Sequence, residues 1–358
     1  MRTAPISLAL ALTILLAAPP PASEGRPLKA IWGPVALPDG TSAFPTYRHL
    51  GVDALQLQLR WSEVAPRRPR RPRNAADPAY RWPLELDLAI AQGRAHGIAV
   101  ALLVRDSPAW ANGGRPPQWA PRPAHYARFL TAASRRYPTV RRWMIWGEAN
   151  RAAVFQPLPP GRRRGPRVYA RLLDRAYVAL KRRSPRNVVV GGMTFSFGEV
   201  LPAAWLRWMR LPGGRRPRLD EYGHNPFSRR PPRLRRRPYG SLPDARDISD
   251  MDTFAAEVRR AYRHHPRFRR RPGPRLWLSE FTVSSDRPNR AFDFAVSRRT
   301  QARWLRRAFR IAGEIGASGL GWFNLHDEPP RVDRGLTTGL MTHEGQRKPA
   351  YRAYRRVR

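Results

Sequence analysis

The chain has 358 residues, 42% of them hydrophobic, with 12 tryptophans and a formal charge of +41. That length and apolar content exclude a disordered chain and suit one large single-core domain or two modest ones. The lack of cysteine excludes disulfides, a thiolate nucleophile, a lipid carried on cysteine and a cysteine zinc site.

Almost all of the positive charge is arginine, because the only lysines are Lys29, Lys181 and Lys348. Such a charge is read either as affinity for a polyanion (nucleic acid, an acidic glycan, an anionic cell surface) or as an arginine-rich composition. Arginine is spread along the whole chain. Its densest runs, Arg67 to Arg73, Arg162 to Arg167, Arg229 to Arg237 and Arg267 to Arg275, occur with proline in apparent loops. They lack the aromatic interleaving of a nucleic-acid platform, so composition is the favoured reading and no specific nucleic-acid partner is expected.

At the N-terminus, Arg2 precedes an apolar run from Ile6 to Ala18 and the small-residue stretch Pro19-Pro20-Pro21-Ala22-Ser23. The run is too short for a span and fits a secretory signal peptide over residues 1–23, implying a secreted protein with no membrane span in its mature form.

Apolar runs and helical stripes then alternate. Ala30 to Gly33 is a first strand, and a short helix falls near Phe44 to Leu50. Ala54 to Arg60 alternates leucine and glutamine with a period of two, which marks a second strand. Leu84, Leu88, Ala91 and Ala95 share a helical face that Gly97 ends, and Ile98 to Val104 is a buried third strand. A helix through Tyr126, Phe129, Leu130, Ala133 and Tyr137 leads to Trp143-Met144-Ile145-Trp146, the fourth.

The stripe Tyr169, Leu172, Leu173, Ala176, Tyr177 and Leu180 precedes a fifth strand from Val188 to Gly192, and the sixth falls at Leu219 to His224. Asp252 is placed to cap a helix carrying Phe254, Val258 and Ala261. Leu276 to Glu280 is the seventh strand. A helix through Leu305, Ala308, Phe309, Ala312 and Ile315 precedes the eighth, Gly319 to Asn324. Eight strands with helices between them predict a single-domain α/β (β/α)8 barrel over residues 28–356. An open doubly wound sheet is the alternative, but no glycine-rich phosphate loop follows an early strand.

Catalytic groups of such barrels sit at the C-terminal ends of the strands. Glu148 follows the fourth strand and Glu280 ends the seventh, ends that lie across the mouth of such a barrel, so the two can face each other. Two facing carboxylates can cleave a glycosidic bond: at about 5 Å apart with retention, at roughly 6.5 to 9.5 Å with inversion. Asn150 is placed to orient Glu148 or to cap the following turn, and His224 to line the sugar site or to serve as a structural hydrogen-bond partner. Trp61, Trp110 and Trp322 are candidate sugar-stacking residues, with core packing as the alternative. Asp106, Asp327 and Glu328 follow the third and eighth strands and are weaker candidates for sugar contacts. His264-His265 lacks a third ligand at a recognisable spacing, and no Gly-x-Ser-x-Gly elbow or cofactor motif occurs, so neither metal nor cofactor is expected.

The order of these features resembles the retaining glycoside hydrolases of clan A, the cellulase-like superfamily, near its family 5 and family 39 branches. Trp146-Gly147-Glu148-Ala149-Asn150 resembles the acid/base motif after strand four, usually Asn-Glu-Pro, and Trp277-Leu278-Ser279-Glu280-Phe281 resembles the nucleophile strand. Similar matches are Trp61 with Val64-Ala65-Pro66, Pro108-Ala109-Trp110-Ala111, Gly223-His224-Asn225-Pro226-Phe227, and the tail from Gly339-Leu340 to Tyr351.

The resemblance implies a retaining hydrolase of β-linked oligo- or polysaccharides, with Glu148 as acid/base and Glu280 as nucleophile. Gly147 takes the place of the asparagine that in the family bonds the sugar 2-hydroxyl, Ala149 that of the proline. Gln56 falls where the family carries an arginine that supports the nucleophile, with Arg60 close by. Two other readings remain: a barrel that binds glycans without turnover, and a basic surface protein that binds acidic polymers.

Overall fold

The computed structural model describes residues 25–159, 163–234, 240–270, 272–288, 292–330 and 335–357; the expected signal peptide lies outside them. The strands are β1 (Leu28–Trp32), β2 (Ala54–Arg60), β3 (Ala99–Arg105), β4 (Arg142–Ile145), β5 (Val188–Phe195), β6 (Glu221–Asn225), β7 (Arg275–Phe281) and β8 (Gly319–Phe323). Each pairs in parallel with the next, and β8 pairs with β1, so the sheet closes. The helices around it are α1 (Phe44–Leu50), α2 (Trp61–Val64), α3 (Leu84–His96), α4 (Ala109–Asn112), α5 (Pro123–Arg136), α6 (Arg164–Arg183), α7 (Pro202–Trp208), α8 (Met251–Tyr262), α9 (Arg298–Glu314) and α10 (Pro349–Arg356). The chain is a (β/α)8 barrel.

Both faces of such a sheet are covered, and successive side chains divide between them. Ala30, Trp32, Leu103, Met144, Met193 and Trp277 fill the interior, while a larger apolar layer lies between strands and helices. On β8 the alternation sends Leu320 and Trp322 outward and Phe323 inward. Near the strand N-termini, the Arg142 guanidinium lies 4.0 Å from the centre of the Trp277 ring and pairs with Glu221, which closes the floor of the barrel.

The helices are held by the stripes that the sequence displays, with one reversal. On α6, Tyr169, Leu172, Leu173, Ala176, Tyr177 and Leu180 are all buried. On α3 the expected face is turned to solvent, with Leu84 69% and Leu88 49% exposed; Leu86, Ala89 and Gly93 are buried instead. Gly93 explains the choice. A Cβ there would lie 2.6 Å from the Ile98 carbonyl, so this face alone allows the helix to approach β3. Gly97 ends α3 in the left-handed region, at φ 69°.

Asp252 lies inside the first turn of α8 and does not cap it. The helix begins after Asp250, and the capping box is one turn earlier, where Asp247 accepts from the Ser249 amide. Strand β6 starts two residues later than expected. Among the described residues no helix is long and apolar enough to cross a membrane.

Candidate active site

Glu148 sits in a tight turn after β4. The β4 ladder ends with the Trp146 amide donating to the Val104 carbonyl at 3.1 Å. Trp146 and Glu148 then adopt left-handed backbone, φ 62° and 44°, with Gly147 between them. Such conformations cost an L-residue roughly 1–2 kcal/mol each and persist where the surroundings fix them. The Trp146 ring is buried edge-on to Phe155, its Nε1 donating to the Val154 carbonyl, and the Ala149 amide donates to the Met193 carbonyl on β5. Glu148 is thereby aimed into the mouth. Its carboxylate accepts from Arg151 Nη1 at 2.5 Å and from Asn225 Nδ2, on β6, at 3.1 Å.

Glu280 reaches the mouth by a different device. On β7, Leu276 and Leu278 face the helices and Trp277 faces the interior, so strict alternation would send Glu280 outward. A bulge prevents this. Leu278 pairs with Leu320 and Phe281 with Trp322, which leaves Ser279 and Glu280 together opposite Gly321. Phe281 takes the outward place and Glu280 is released to the inside.

The bulge is fixed through the Ser279 carbonyl, which accepts from Trp32 Nε1 at 3.0 Å and from Gln56 Nε2 at 2.8 Å. Gln56 is in turn held by Trp277 Nε1 at 3.1 Å. Any Cβ at position 321 would collide with the Ser279 carbonyl and the Gln56 amide, so glycine is required there.

The electrostatics link the two carboxylates. Glu280 is pushed from 4.5 up to about 8, first by burial and next by the negative charge of Glu148; Arg105 and Arg151 pull the other way. Among the described residues nothing donates a hydrogen bond to Glu280, whereas Glu148 has two donors. Burial and the facing carboxylate of Glu148 thus both oppose ionisation of Glu280.

The other expected site residues lie elsewhere. His224 is fully buried on the outward face of β6, its ring nitrogens bonded to Thr194 Oγ1 (2.8 Å) and the Arg246 carbonyl (2.9 Å), and burial lowers its pKa to about 4. Asn150 is buried as a clasp between loops, giving Nδ2 to the Phe195 and Val200 carbonyls and accepting from the Phe195 amide. Trp61 is buried and stacked on Phe129 at 5.0 Å, and half-buried Trp110 meets it edge-on while donating to the Ala65 carbonyl. Trp322 is 1% exposed and donates to the Thr338 carbonyl. All three rings pack in the layer outside the barrel.

Asp106 is paired with Arg60 and Arg105, Asp327 with Lys348, and Glu328 accepts from the Leu336 amide. Arg60 therefore serves Asp106, and Gln56 serves the bulge. The charge that reaches Glu280 comes from Arg105 and Arg151. Gly147 packs against Leu103, whose Cδ1 would lie 3.0 Å from a Cβ at 147, so an asparagine there would have to displace Leu103.

Three phenylalanines at or just past strand C-termini were not singled out from the sequence as site residues. Phe323, half-buried, faces inward beyond Trp322. Phe195 and Phe227, at the ends of β5 and β6, meet at 5.4 Å, and the Arg151 guanidinium lies 4.8 Å from the Phe195 ring centre. The signal available was aromatic residues at strand C-termini, in Thr194-Phe195-Ser196-Phe197 and Asn225-Pro226-Phe227.

Fold and site thus define a (β/α)8 barrel with two coupled carboxylates in its mouth. No family model and no curated protein matches the sequence. Solved structures do match. A family 39 glycoside hydrolase from Bacteroides cellulosilyticus superposes with a TM-score of 0.64 at 17% identity, over 93% of this chain and 64% of its own. A glucosidase from Croceicoccus marinus gives 0.63 at 17% identity, over 93% and 66%. A monomeric β-xylosidase from Caulobacter crescentus gives 0.62 at 17% identity, over 94% and 68%. At such identity the likeness establishes the barrel fold, and the chain spans less than two thirds of the length of the first two.

Proposed function

We propose that this protein hydrolyses O-glycosidic bonds of an oligo- or polysaccharide, β-linked, by a double displacement with retention, and that it is exported. One observation carries the reading: Glu148 and Glu280, brought from β4 and β7, lie close enough in the mouth for one to displace the titration of the other. That coupling is what a nucleophile and an acid/base require. The solved structures it resembles include proteins described as a glucosidase and a β-xylosidase, which supports the class of reaction.

In this mechanism Glu280 attacks the anomeric carbon while Glu148 protonates the leaving oxygen. Glu148 then takes a proton from water, which hydrolyses the glycosyl-enzyme. The raised pKa of Glu280 works against this assignment, which needs Glu280 ionised. The mechanism needs a proton on Glu148, and the contact to be released for it is the Arg151–Glu148 pair. Phe323, on the interior face of β8, and Phe195 and Phe227, at the ends of β5 and β6, offer apolar faces for pyranose rings.

The raised titration of Glu280 favours a second reading in which the roles are reversed, with Glu280 as acid and Glu148 as nucleophile. An activated 2-fluoro-β-glycoside that inactivates the enzyme, followed by peptide mass spectrometry, decides between them. Label on Glu280 supports the first assignment, and label on Glu148 the second. Aryl β-glycosides left intact by the wild type, yet bound by it, would overturn both in favour of a glycan-binding barrel.

A further inference from the structure

A second concavity lies on the other side of the barrel from the glutamates. It is built from segments that lead into strand N-termini: the loop between α7 and β6, the end of α8 with the loop to β7, and α6. Its volume is about 770 Å³. Among the described residues seven arginines line it, against a single carboxylate, Asp174.

That carboxylate is already satisfied, since Arg218 holds it through Nε at 2.8 Å and Nη2 at 2.7 Å. Arg267 is likewise paired with Asp220. Arg210, Arg215, Arg216, Arg260 and Arg263 have no carboxylate partner among the described residues. Arg216 is the costliest of them. It is half-buried, its Nη1 donates to the Leu206 and Met209 carbonyls, and its Nε is buried with no acceptor among the described residues. Burial lowers its pKa, and the neighbouring Arg210 adds to this. A partly buried cation without an ion-pair partner costs free energy that a bound anion would recover.

We propose that this cavity binds a ligand with closely spaced oxyanions, carried as the carboxylate or sulfate groups of an acidic polysaccharide. Guanidinium groups suit such anions because their planar N–H forks match two oxygens at once. The choice of a glycan as carrier rests on the glycosidase reading; the oxyanion chemistry does not. Nucleic acid fits less well. Single strands are held by bases stacking on open rings. Here the Tyr177 ring is covered by Arg218 and Arg267, at 5.9 and 5.6 Å, and the Tyr262 ring by Arg216 at 6.0 Å. The volume suits a few sugar residues and is in the range of small-molecule sites.

Binding is measured by calorimetry at fixed ionic strength with the Glu280→Gln chain, so that turnover plays no part. The probes are a short dextran sulfate, an oligogalacturonate, neutral dextran and a single-stranded DNA of equal charge. The sulfated or carboxylated chain is expected to bind and neutral dextran not to bind. Replacing the exposed Arg215, Arg260 and Arg263 by serine should weaken binding at least tenfold. Replacing Arg306, Arg307 and Arg310, exposed on α9, removes the same charge elsewhere and should change it less than twofold.

Equal losses in the two triple variants, or no binding of either acidic glycan, would overturn the site. Tighter binding of the DNA than of both glycans would overturn the choice of ligand. If acidic glycans bind while no glycoside is cleaved by the wild type, the cavity stands and the hydrolase reading falls.

Discussion

Replacing Glu280 by glutamine should make the protein more stable at pH 8 and leave it nearly unchanged at pH 4.5. The folded-state pKa of this carboxyl is raised from 4.5 to about 8. Below pH 4.5 the group is protonated in both folded and unfolded chains, so it contributes no pH dependence. Between 4.5 and 8 the unfolded chain releases the proton and the folded chain keeps it, so each pH unit favours unfolding by about 1.4 kcal/mol. Above 8 the penalty is complete. The full span gives roughly 5 kcal/mol as an upper limit. Partial exposure of the side chain and its coupling to Glu148 reduce it, and about 2–3 kcal/mol is expected. Glutamine keeps the shape and carries no proton to lose, so it removes this penalty. Calorimetric melting of wild type and Glu280→Gln at pH 4.5, 6 and 8 tests it: the two should diverge as pH rises, by several degrees at pH 8. Parallel curves over the whole range would refute the claim that burial and Glu148 impose this cost.

His224 should produce the opposite slope. Its folded pKa, lowered to about 4, lies below the ordinary 6.5, so stability is full above pH 6.5 and declines as pH falls toward 4; in a His224→Gln chain that decline should vanish from the melting temperatures. Gly321→Ala should cost about 1–3 kcal/mol and lower kcat, because the new methyl group displaces the Ser279 carbonyl and thereby Glu280; an unchanged denaturation midpoint would mean that the bulge is not held as described. Arg151→Met removes a cation that holds the Glu280 titration down, so carbon-13 NMR of glutamate-labelled protein should show it rising by about half a pH unit, and a fall would contradict the assigned field.

The features legible in the sequence were those that repeat locally. Buried strands appear as apolar runs, and the stripe on α6 emerged whole, because burial of one helical face is written every three or four residues. The two glutamates were legible because they follow such runs. Facing was much less so. Trp322 and Phe323 are neighbours of similar chemistry, and only the barrel's curvature decides which enters it. Alternation would have turned Glu280 outward, and the bulge that corrects it is held by Trp32 and Gln56, more than two hundred residues away. The face of α3 was misread because Leu84 and Leu88 outweigh Gly93 in hydrophobicity, while the close approach to β3 depends on size. The arginine cavity was invisible for a related reason: its charges are scattered in the chain and meet only when α6, α7 and α8 surround one concavity.

The clasp on the Ser279 carbonyl has a practical consequence. Trp32 and Gln56 hold backbone, and no hydrogen bond among the described residues involves the Glu280 side chain, so the acid can be changed without loosening its platform. An inert Glu280→Gln chain should therefore retain the unaltered contour of the mouth and serve as bait. Soaked in mixed glycans and washed, it would keep the sugars that fit and could be asked which they are, turning the unknown substrate into something that can be eluted and sequenced.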